Sequence, residues 1–276
     1  MTWKEAYEYG QQQLNNAHID EAKLDAWYLL EYATGMSRTM YYLHMDEEMD
    51  AKQVTMYKEY IEMRAHHIPL QHITGVQDFM GLTFHVNEHV LIPRQDTEVL
   101  VESVLHIMRP GMNILDMCTG SGCILISLLK LGANSTGVGV DISKEALDVA
   151  KENAEKIGVD AKFLQSNLFS EVDGRYDVIV SNPPYIRTEV IEELAEEVKF
   201  HDPCLALDGK EDGLFFYRNI VKESPNYLKK NGKLYFEIGY DQGEAVRTLM
   251  EEAGFREVMV KKDLAGLDRV VFGVYS

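Results

Sequence analysis

From residue 113 onward, short apolar runs alternate with amphipathic ones, and that alternation leaves few folds open. Asn113–Asp116, Gly137–Ile142, Ala161–Gln165, Tyr176–Val180 and Lys233–Ile238 have the length and composition of strands. Cys123–Leu131, Lys144–Ile157, Gly213–Leu228 and Gly243–Ala253 lie between or after them with apolar residues at helical spacing. Strand–helix alternation of this kind implies a mostly parallel sheet with helices on both faces, a doubly wound α/β fold. The last two expected strands, Glu257–Lys261 and Arg269–Val274, sit close together and are expected to be antiparallel.

Residues 1–72 carry a different pattern. Met1–Leu14, Asp20–Ala33 and Asp50–His67 read as helices of a small bundle, with Ala6, Tyr7, Leu14, Leu24, Trp27 and Tyr28 on apolar faces. Asp20 is expected as an N-cap, Thr34-Gly35 as a stop followed by a Ser37 cap, and Pro69 as the end of the Asp50–His67 helix. The rings of Tyr7, Tyr9, Tyr28, Tyr41, Tyr42, Tyr57 and Tyr60 are expected mostly as core, with a partner-binding surface as their second use. From residue 73 to 93 the period falls to two (Phe79, Met80, Leu82, Phe84, Val86, then Val90, Leu91, Ile92), punctuated by Gly75, Gly81 and Asn87-Glu88. The expected division is a helical bundle (1–72), a β-hairpin connector (73–93) and an α/β domain (94–276).

The net charge of −18 opposes a polyanion and weighs against a nucleic-acid substrate; it suits a protein partner with a basic surface. No apolar run reaches the roughly 20 residues that span a bilayer, and the opening Met1-Thr2-Trp3-Lys4-Glu5 is unlike a signal peptide. The expectation is a cytoplasmic protein without membrane contact, monomeric by default. Cys118, Cys123 and Cys204 have no metal-ligand spacing and are read as reduced thiols, and no metal is expected from the scattered histidines.

Two segments carry chemistry. In Ile114-Leu115-Asp116-Met117-Cys118-Thr119-Gly120-Ser121-Gly122 a strand enters a glycine turn and then a helix, and Gly139-Val140-Asp141 ends the next strand in an acid suited to ribose hydroxyls. The third glycine of a dinucleotide fingerprint is replaced by Leu125, and no P-loop lysine follows. The pattern fits S-adenosylmethionine, a cation without pyrophosphate; Asp116 would hold the loop or reach the methionine ammonium. Second, Asn182-Pro183-Pro184-Tyr185-Ile186 follows the strand at 176–180. An amide oxygen and a nearby main-chain carbonyl can accept both hydrogens of a planar –NH2 while an aromatic ring packs on its face. A rigid Pro-Pro turn is the plainer reading; methyl transfer to an amide or exocyclic amino nitrogen is the sharper one.

With these segments in hand, the chain resembles the HemK/PrmC type peptide chain release factor N(5)-glutamine methyltransferases. The blocks that carry the resemblance are Pro69–Gly75 with Val90-Leu91-Ile92-Pro93-Arg94-Gln95-Asp96-Thr97-Glu98, Asp116–Gly122 with Asp141, and Asn182–Ile186 followed by Asp202-Pro203, Ala206–Gly209 and Asp212–Leu214. Glu237-Ile238-Gly239 with Gln242, and Asp268–Val271, also fit, so the likeness runs nearly the whole chain. It implies a class I methyltransferase domain, a helical domain that contacts a release factor, and the glutamine of a Gly-Gly-Gln motif as methyl acceptor. By position, Asp116, Cys118, Thr119, Gly120, Ser121, Gly122, Asp141, Asn167, Leu168 and Asn182 would hold the cofactor. Asn182, Pro183, Pro184 and Tyr185 would hold the glutamine, with Asn182, Pro183 and Tyr185 acting in catalysis. Cys118 stands where the family usually has glycine, Asn167 where it has an acid, Leu168 where an aromatic often flanks adenine, and Lys210 follows Gly209 where Gly-Gly is common. An adenine-N6 methyltransferase of nucleic acid shares the Asn-Pro-Pro-Tyr logic and is the alternative. Arg94 and Asp96 are expected to form an interdomain salt bridge rather than to act on substrate.

Overall fold

A computed structural model describes all 276 residues. Helices α1 (Trp3–Asn16), α2 (Ala22–Thr34), α3 (Arg38–His44), α4 (Ala51–Ala65) and α5 (Leu70–Thr74) come first, then the hairpin strands β1 (Val76–Phe79) and β2 (Leu82–His85). After α6 (Gln95–Leu105), the chain runs β3 (Asn113–Met117), α7 (Cys123–Leu131), β4 (Thr136–Asp141), α8 (Lys144–Ile157), β5 (Lys162–Gln165) and β6 (Tyr176–Ser181). Short helices α9 (Glu196–His201) and α10 (Cys204–Leu207) precede α11 (Phe215–Glu223), β7 (Leu228–Glu237), α12 (Gly243–Glu252), β8 (Arg256–Lys262) and β9 (Asp268–Tyr275). None of the helices is long and apolar enough to cross a membrane. Two compact units result: Met1–Gly75 with Glu196–His201, and Val76–Ala195 with Asp202–Ser276.

The first unit is helical because its caps and apolar stripes agree. Thr2 and Glu5 close a capping box on α1, the Glu5 amide donating to Thr2 Oγ1 at 3.2 Å and the Thr2 amide to Glu5 Oε2 at 2.9 Å. Gly35 ends α2 in the left-handed conformation and Ser37 caps α3, as the sequence suggests. Asp20 is not the cap: α2 starts after Glu21, which makes no side-chain capping bond. Trp3, Ala6, Leu14, Ala26, Trp27, Leu29, Leu30, Tyr41, Tyr57 and Ile61 are buried. Tyr7, Trp27 and Tyr41 meet edge-on, with centroids 5.3–6.0 Å apart. Leu24, Tyr28 and Tyr42, expected inside, are exposed, because α2 turns Asp25, Ala26, Leu29 and Leu30 inward and α3 turns Tyr41 inward instead.

Asp25 is one of the few buried charges in this unit. Burial raises its carboxyl pKa, and the Arg64 guanidinium opposes that rise. Arg64 Nε donates to Asp25 Oδ2 at 2.7 Å, and its other nitrogens reach the Ile68 carbonyl at 3.2 Å and Glu197 Oε1 on α9 at 2.5 Å.

The second unit holds a seven-stranded sheet in the order β5-β4-β3-β6-β7-β9-β8. Neighbours are parallel from β5 to β7, while β9 is antiparallel to both β7 and β8. Alternate residues face opposite cores: Leu115, Met117, Ile179, Leu234 and Phe236 on one side, Ile114, Val178, Val180 and Tyr235 on the other. The hairpin pairs β1 with β2 only and packs Phe79 and Phe84 with α6 residues Leu100, Val101 and Val104; the Val90–Ile92 stretch forms no strand. Helix α6 itself was not anticipated. Helix α11 stops at Glu223 rather than Leu228 because Pro225 cannot continue it, and β7 begins five residues earlier than its apolar run suggests.

Removing the cation of a buried pair strands its partner, so Arg64→Met should lower the stability of the amino-terminal unit by about 3 kcal/mol. A urea melt followed by tryptophan fluorescence reads this, since Trp3 and Trp27 both lie in that unit's core. An unchanged midpoint would contradict the assignment.

Candidate active site

The chain winds outward from β3 through β4 to β5, then returns to place β6 and β7 on the other side of β3. Strand order reverses between β3 and β6, and crevices of this kind open at the carboxyl ends of the strands. The register aligns those ends: Met117 is level with Val140 and Ser181, and Ser181 with Phe236. Cys118, Asp141, Asn182 and Glu237 are therefore neighbours at one edge of the sheet.

A cavity of about 520 Å³ opens there, within the roughly 300–1,000 Å³ of small-molecule sites. Cys118, Thr119, Gly120, Ser121, Asp141, Asn167, Leu168, Asn182 and Pro184 all line it. Asp116, Gly122, Pro183 and Tyr185 do not. Further wall comes from Val90, Leu91, Pro93, Arg94, Thr97, Ala206, Phe215 and Phe216, which the sequence did not single out as contacting a ligand.

The loop geometry explains its composition. Cys118, Gly120 and Gly122 all have positive φ (62°, 53° and 78°), so a glycine is the unstrained choice at 118 and the cysteine adopts a conformation few side chains take. Thr119 Oγ1 donates to Asp116 Oδ2 at 2.6 Å, so Asp116 holds the loop from below, fully buried, with Oδ1 unpartnered. Burial, offset in part by the Thr119 bond, pushes the Asp116 carboxyl up to about 7. Asp141 takes one amide on each oxygen, Gly120 N at 2.9 Å and Ser143 N at 3.0 Å, and burial raises its pKa against those bonds. These residues fit S-adenosylmethionine. A carboxylate fixed by the loop offers lone pairs to a ribose diol, Leu168 and Ile142 offer apolar surface to a base, and Asn167 offers an amide beside it.

The Asn-Pro-Pro-Tyr turn is braced from behind. Asn182 Nδ2 donates to Thr97 Oγ1 at 3.4 Å. The Tyr185 carbonyl accepts from Gln242 Nε2 at 3.0 Å, while Gln242 Oε1 accepts from the Gly239 amide at 3.0 Å. Gly213 is required beside it: at φ +74°, a Cβ there would lie 2.4 Å from the Tyr185 oxygen. The Tyr185 ring packs on the core, and burial holds its phenol well above the ordinary range. Lys210, at φ +71°, takes the left-handed conformation that glycine prefers and pairs with Asp208 at 2.7 Å.

The segment from 94 to 98 is tied down residue by residue. Arg94 reaches Asp202 at 2.5 Å, Asp96 reaches Arg269 at 3.1 Å, and Glu98 accepts from the Met80 amide at 2.6 Å. Both ion pairs lie within the second unit, so neither is the expected interdomain bridge. Thr97, Glu237 and Gln242 were not singled out as site residues. Their signal is structural: all three are buried polar side chains, Glu237 at the end of β7, Gln242 in the turn after it and Thr97 on the first turn of α6.

Residues 5–75 match the family model described as PrmC N-terminal domain, and residues 95–201 the one described as Methyltransferase small domain. The release factor glutamine methyltransferase of Caulobacter vibrioides is 41% identical, over 99% of this chain and 96% of its own length. That of Geobacter sulfurreducens is 40% identical over 92% and 90%, and that of Bacillus subtilis 39% identical over 88% of each. Among solved structures, a Pyrococcus furiosus methyltransferase superposes with TM-score 0.53 at 15% identity, covering 70% of this chain and 89% of its own. A Thermus thermophilus 16S rRNA N2 G1207 methyltransferase, solved with AdoMet and guanosine, gives 0.53 at 19%, covering 73% and 50%. At those identities the likeness is one of fold.

Because the folded pKa of Asp116 lies above the ordinary 3.8, the native state keeps a proton there that the unfolded chain has already released. The associated stability is complete below about pH 4 and is lost as pH rises through 7. Asp116→Asn removes this dependence, so relative to wild type it should gain roughly 2–3 kcal/mol between pH 5 and pH 8. Urea melts at the two pH values read the difference; a constant gap would contradict it.

Proposed function

The chain belongs to the release factor glutamine methyltransferase family, and on that premise we propose that it transfers a methyl group from S-adenosyl-L-methionine to the side-chain amide nitrogen of the glutamine in a release factor's Gly-Gly-Gln motif. One observation carries the reading: Asn182 stands on the wall of the same cavity as the 118–121 loop and Asp141. A nitrogen held at Asn182 is thereby close to a methyl donor held by the loop.

An amide nitrogen is a weak nucleophile, since its lone pair is delocalised into the carbonyl. Asn182 Oδ1 and the Pro183 carbonyl each accept a hydrogen from the acceptor –NH2, which fixes its rotation and favours a pyramidal, more nucleophilic nitrogen. Pro183 and Tyr185 lie off the cavity wall, and their places at the amide, the Tyr185 ring against its plane, rest on the motif rather than on the cavity lining. The bound cofactor supplies an electrophilic sulfonium methyl. Asp116, Cys118, Thr119, Gly120, Ser121, Gly122, Asp141, Asn167, Leu168 and Asn182 hold it, Asp116 and Gly122 by shaping the loop from outside the cavity. Positioning and preorganised dipoles supply the rate. No strong base is needed, because the proton departs after the nitrogen has gained the methyl.

The helical part, residues 1–72, contacts the release factor, with residues 73–93 as connector and 94–276 as the methyltransferase domain. Leu24, Tyr28, Tyr32, Tyr42 and Leu43 support this, being large apolar side chains left exposed on that part. The net charge of −18 favours a protein with a basic surface over direct contact with nucleic acid.

The test is transfer of labelled methyl to purified release factor, with a Gly-Gly-Gln to Gly-Gly-Ala variant as control. Label should appear on the native factor alone. Asn182→Ala should slow turnover roughly 100-fold or more, a larger effect than on cofactor affinity. Label on DNA or RNA instead of the factor would move the assignment to the adenine methyltransferases.

A further inference from the structure

The functional reading leaves Glu237 unused, yet it is the last residue of β7, 1% exposed, at the strand end beside Asn182. Its Oε2 is buried without a hydrogen-bond partner. A carboxylate in such a place is expensive unless neighbours need it. Burial pushes it up to about 7, while Thr97, Arg269 and Asn182 draw it back toward the charged form and Asp96 opposes them. Thr97 is 2% exposed on the first turn of α6, and its hydroxyl receives the Asn182 amide at 3.4 Å.

We infer that Glu237 and Thr97 form a hydrogen-bond relay that sets which end of the Asn182 amide faces the cavity, making both positioning residues for the acceptor –NH2. The inference rests on the glutamine-transfer reading above. In its ionised form the Glu237 carboxylate can only accept, and Thr97 and Asn182 both hydrogen-bond to it, so the single hydrogen of the Thr97 hydroxyl points to Glu237. The Thr97 oxygen then has only lone pairs to offer, and these take Asn182 Nδ2. Asn182 Oδ1 is left facing the cavity as an acceptor. In the flipped amide, Oδ1 would meet the Thr97 lone pairs and Nδ2 would meet the acceptor's own N–H groups, two repulsive contacts at once. The same polarity favours a glutamine amide and repels a glutamate carboxylate, so the relay also sets acceptor specificity.

Thr97→Val keeps the shape and removes the hydroxyl. It should lower kcat for the release factor roughly 10- to 100-fold, with a smaller effect on cofactor Kd, and Thr97→Ser should restore kcat. Glu237→Gln, which can donate as well as accept, should also lower kcat. Because these residues act through Asn182, adding Thr97→Val to Asn182→Ala should slow the enzyme no further. Independently of any acceptor, the Asn182 side-chain amide protons should exchange with water faster in Thr97→Val than in wild type. Wild-type kcat in Thr97→Val and Glu237→Gln, losses that multiply with Asn182→Ala, or unchanged amide exchange would each overturn the relay while leaving glutamine transfer by the wild type intact. If Thr97→Val does not fold, Glu237→Gln and Thr97→Ser still decide: a normal kcat in the first or a lost one in the second overturns the relay. Failure of the wild-type chain to label the glutamine at all would overturn the functional reading and the relay together.

Discussion

The parallel register of β4, β3, β6 and β7 is the constraint on which the rest depends. It brings Asp141, Cys118, Asn182 and Glu237, far apart in sequence, to adjacent strand ends. Both faces of these strands are buried, so a one-residue slip would exchange Leu115 and Met117 with Ile114 and Asp116, driving a carboxylate into an apolar layer. The packing that stabilises the sheet therefore also sets the geometry of the site.

A second feature is where polar groups are buried. Asp116 and Glu237, each fully buried and each pushed up to about 7, sit at strand ends below the cavity. One holds the glycine loop through Thr119, and the other lies beneath the Asn182 turn. Gln242 completes the support by gripping the Tyr185 carbonyl and the Gly239 amide. Rigidity at a methyl-transfer site has a physical use, since small errors in placing the nitrogen cost much of the rate.

Much of this was legible in the sequence, for reasons that differ by region. The βα alternation was readable because strands covered on both faces are written as continuous apolar runs. The loop at 118–122 was readable because positive φ leaves a glycine signature, blurred only at Cys118. Helix α6, which starts at Gln95 two residues after Pro93, was not anticipated because its first turn is polar. Thr97, Glu237 and Gln242 escaped for another reason: their roles arise from what the sheet register sets beside them, which local pattern does not encode. The pairing of Asp96 with Arg269 is of the same kind, joining α6 to β9. Within the Asn-Pro-Pro-Tyr turn, Pro184 lies on the cavity wall while Pro183 does not and the Tyr185 ring packs partly in the core.

The central claim is that one cavity holds the methyl donor at the 118–122 loop and the acceptor nitrogen at Asn182. A crystal structure with S-adenosylhomocysteine and a glutamine-containing peptide tests it most directly. The account predicts the ribose hydroxyls on the Asp141 carboxylate, and the thioether sulfur facing a glutamine amide whose nitrogen lies at Asn182 Oδ1. A ribose bound away from Asp141, or an amide nitrogen remote from Asn182, would contradict it.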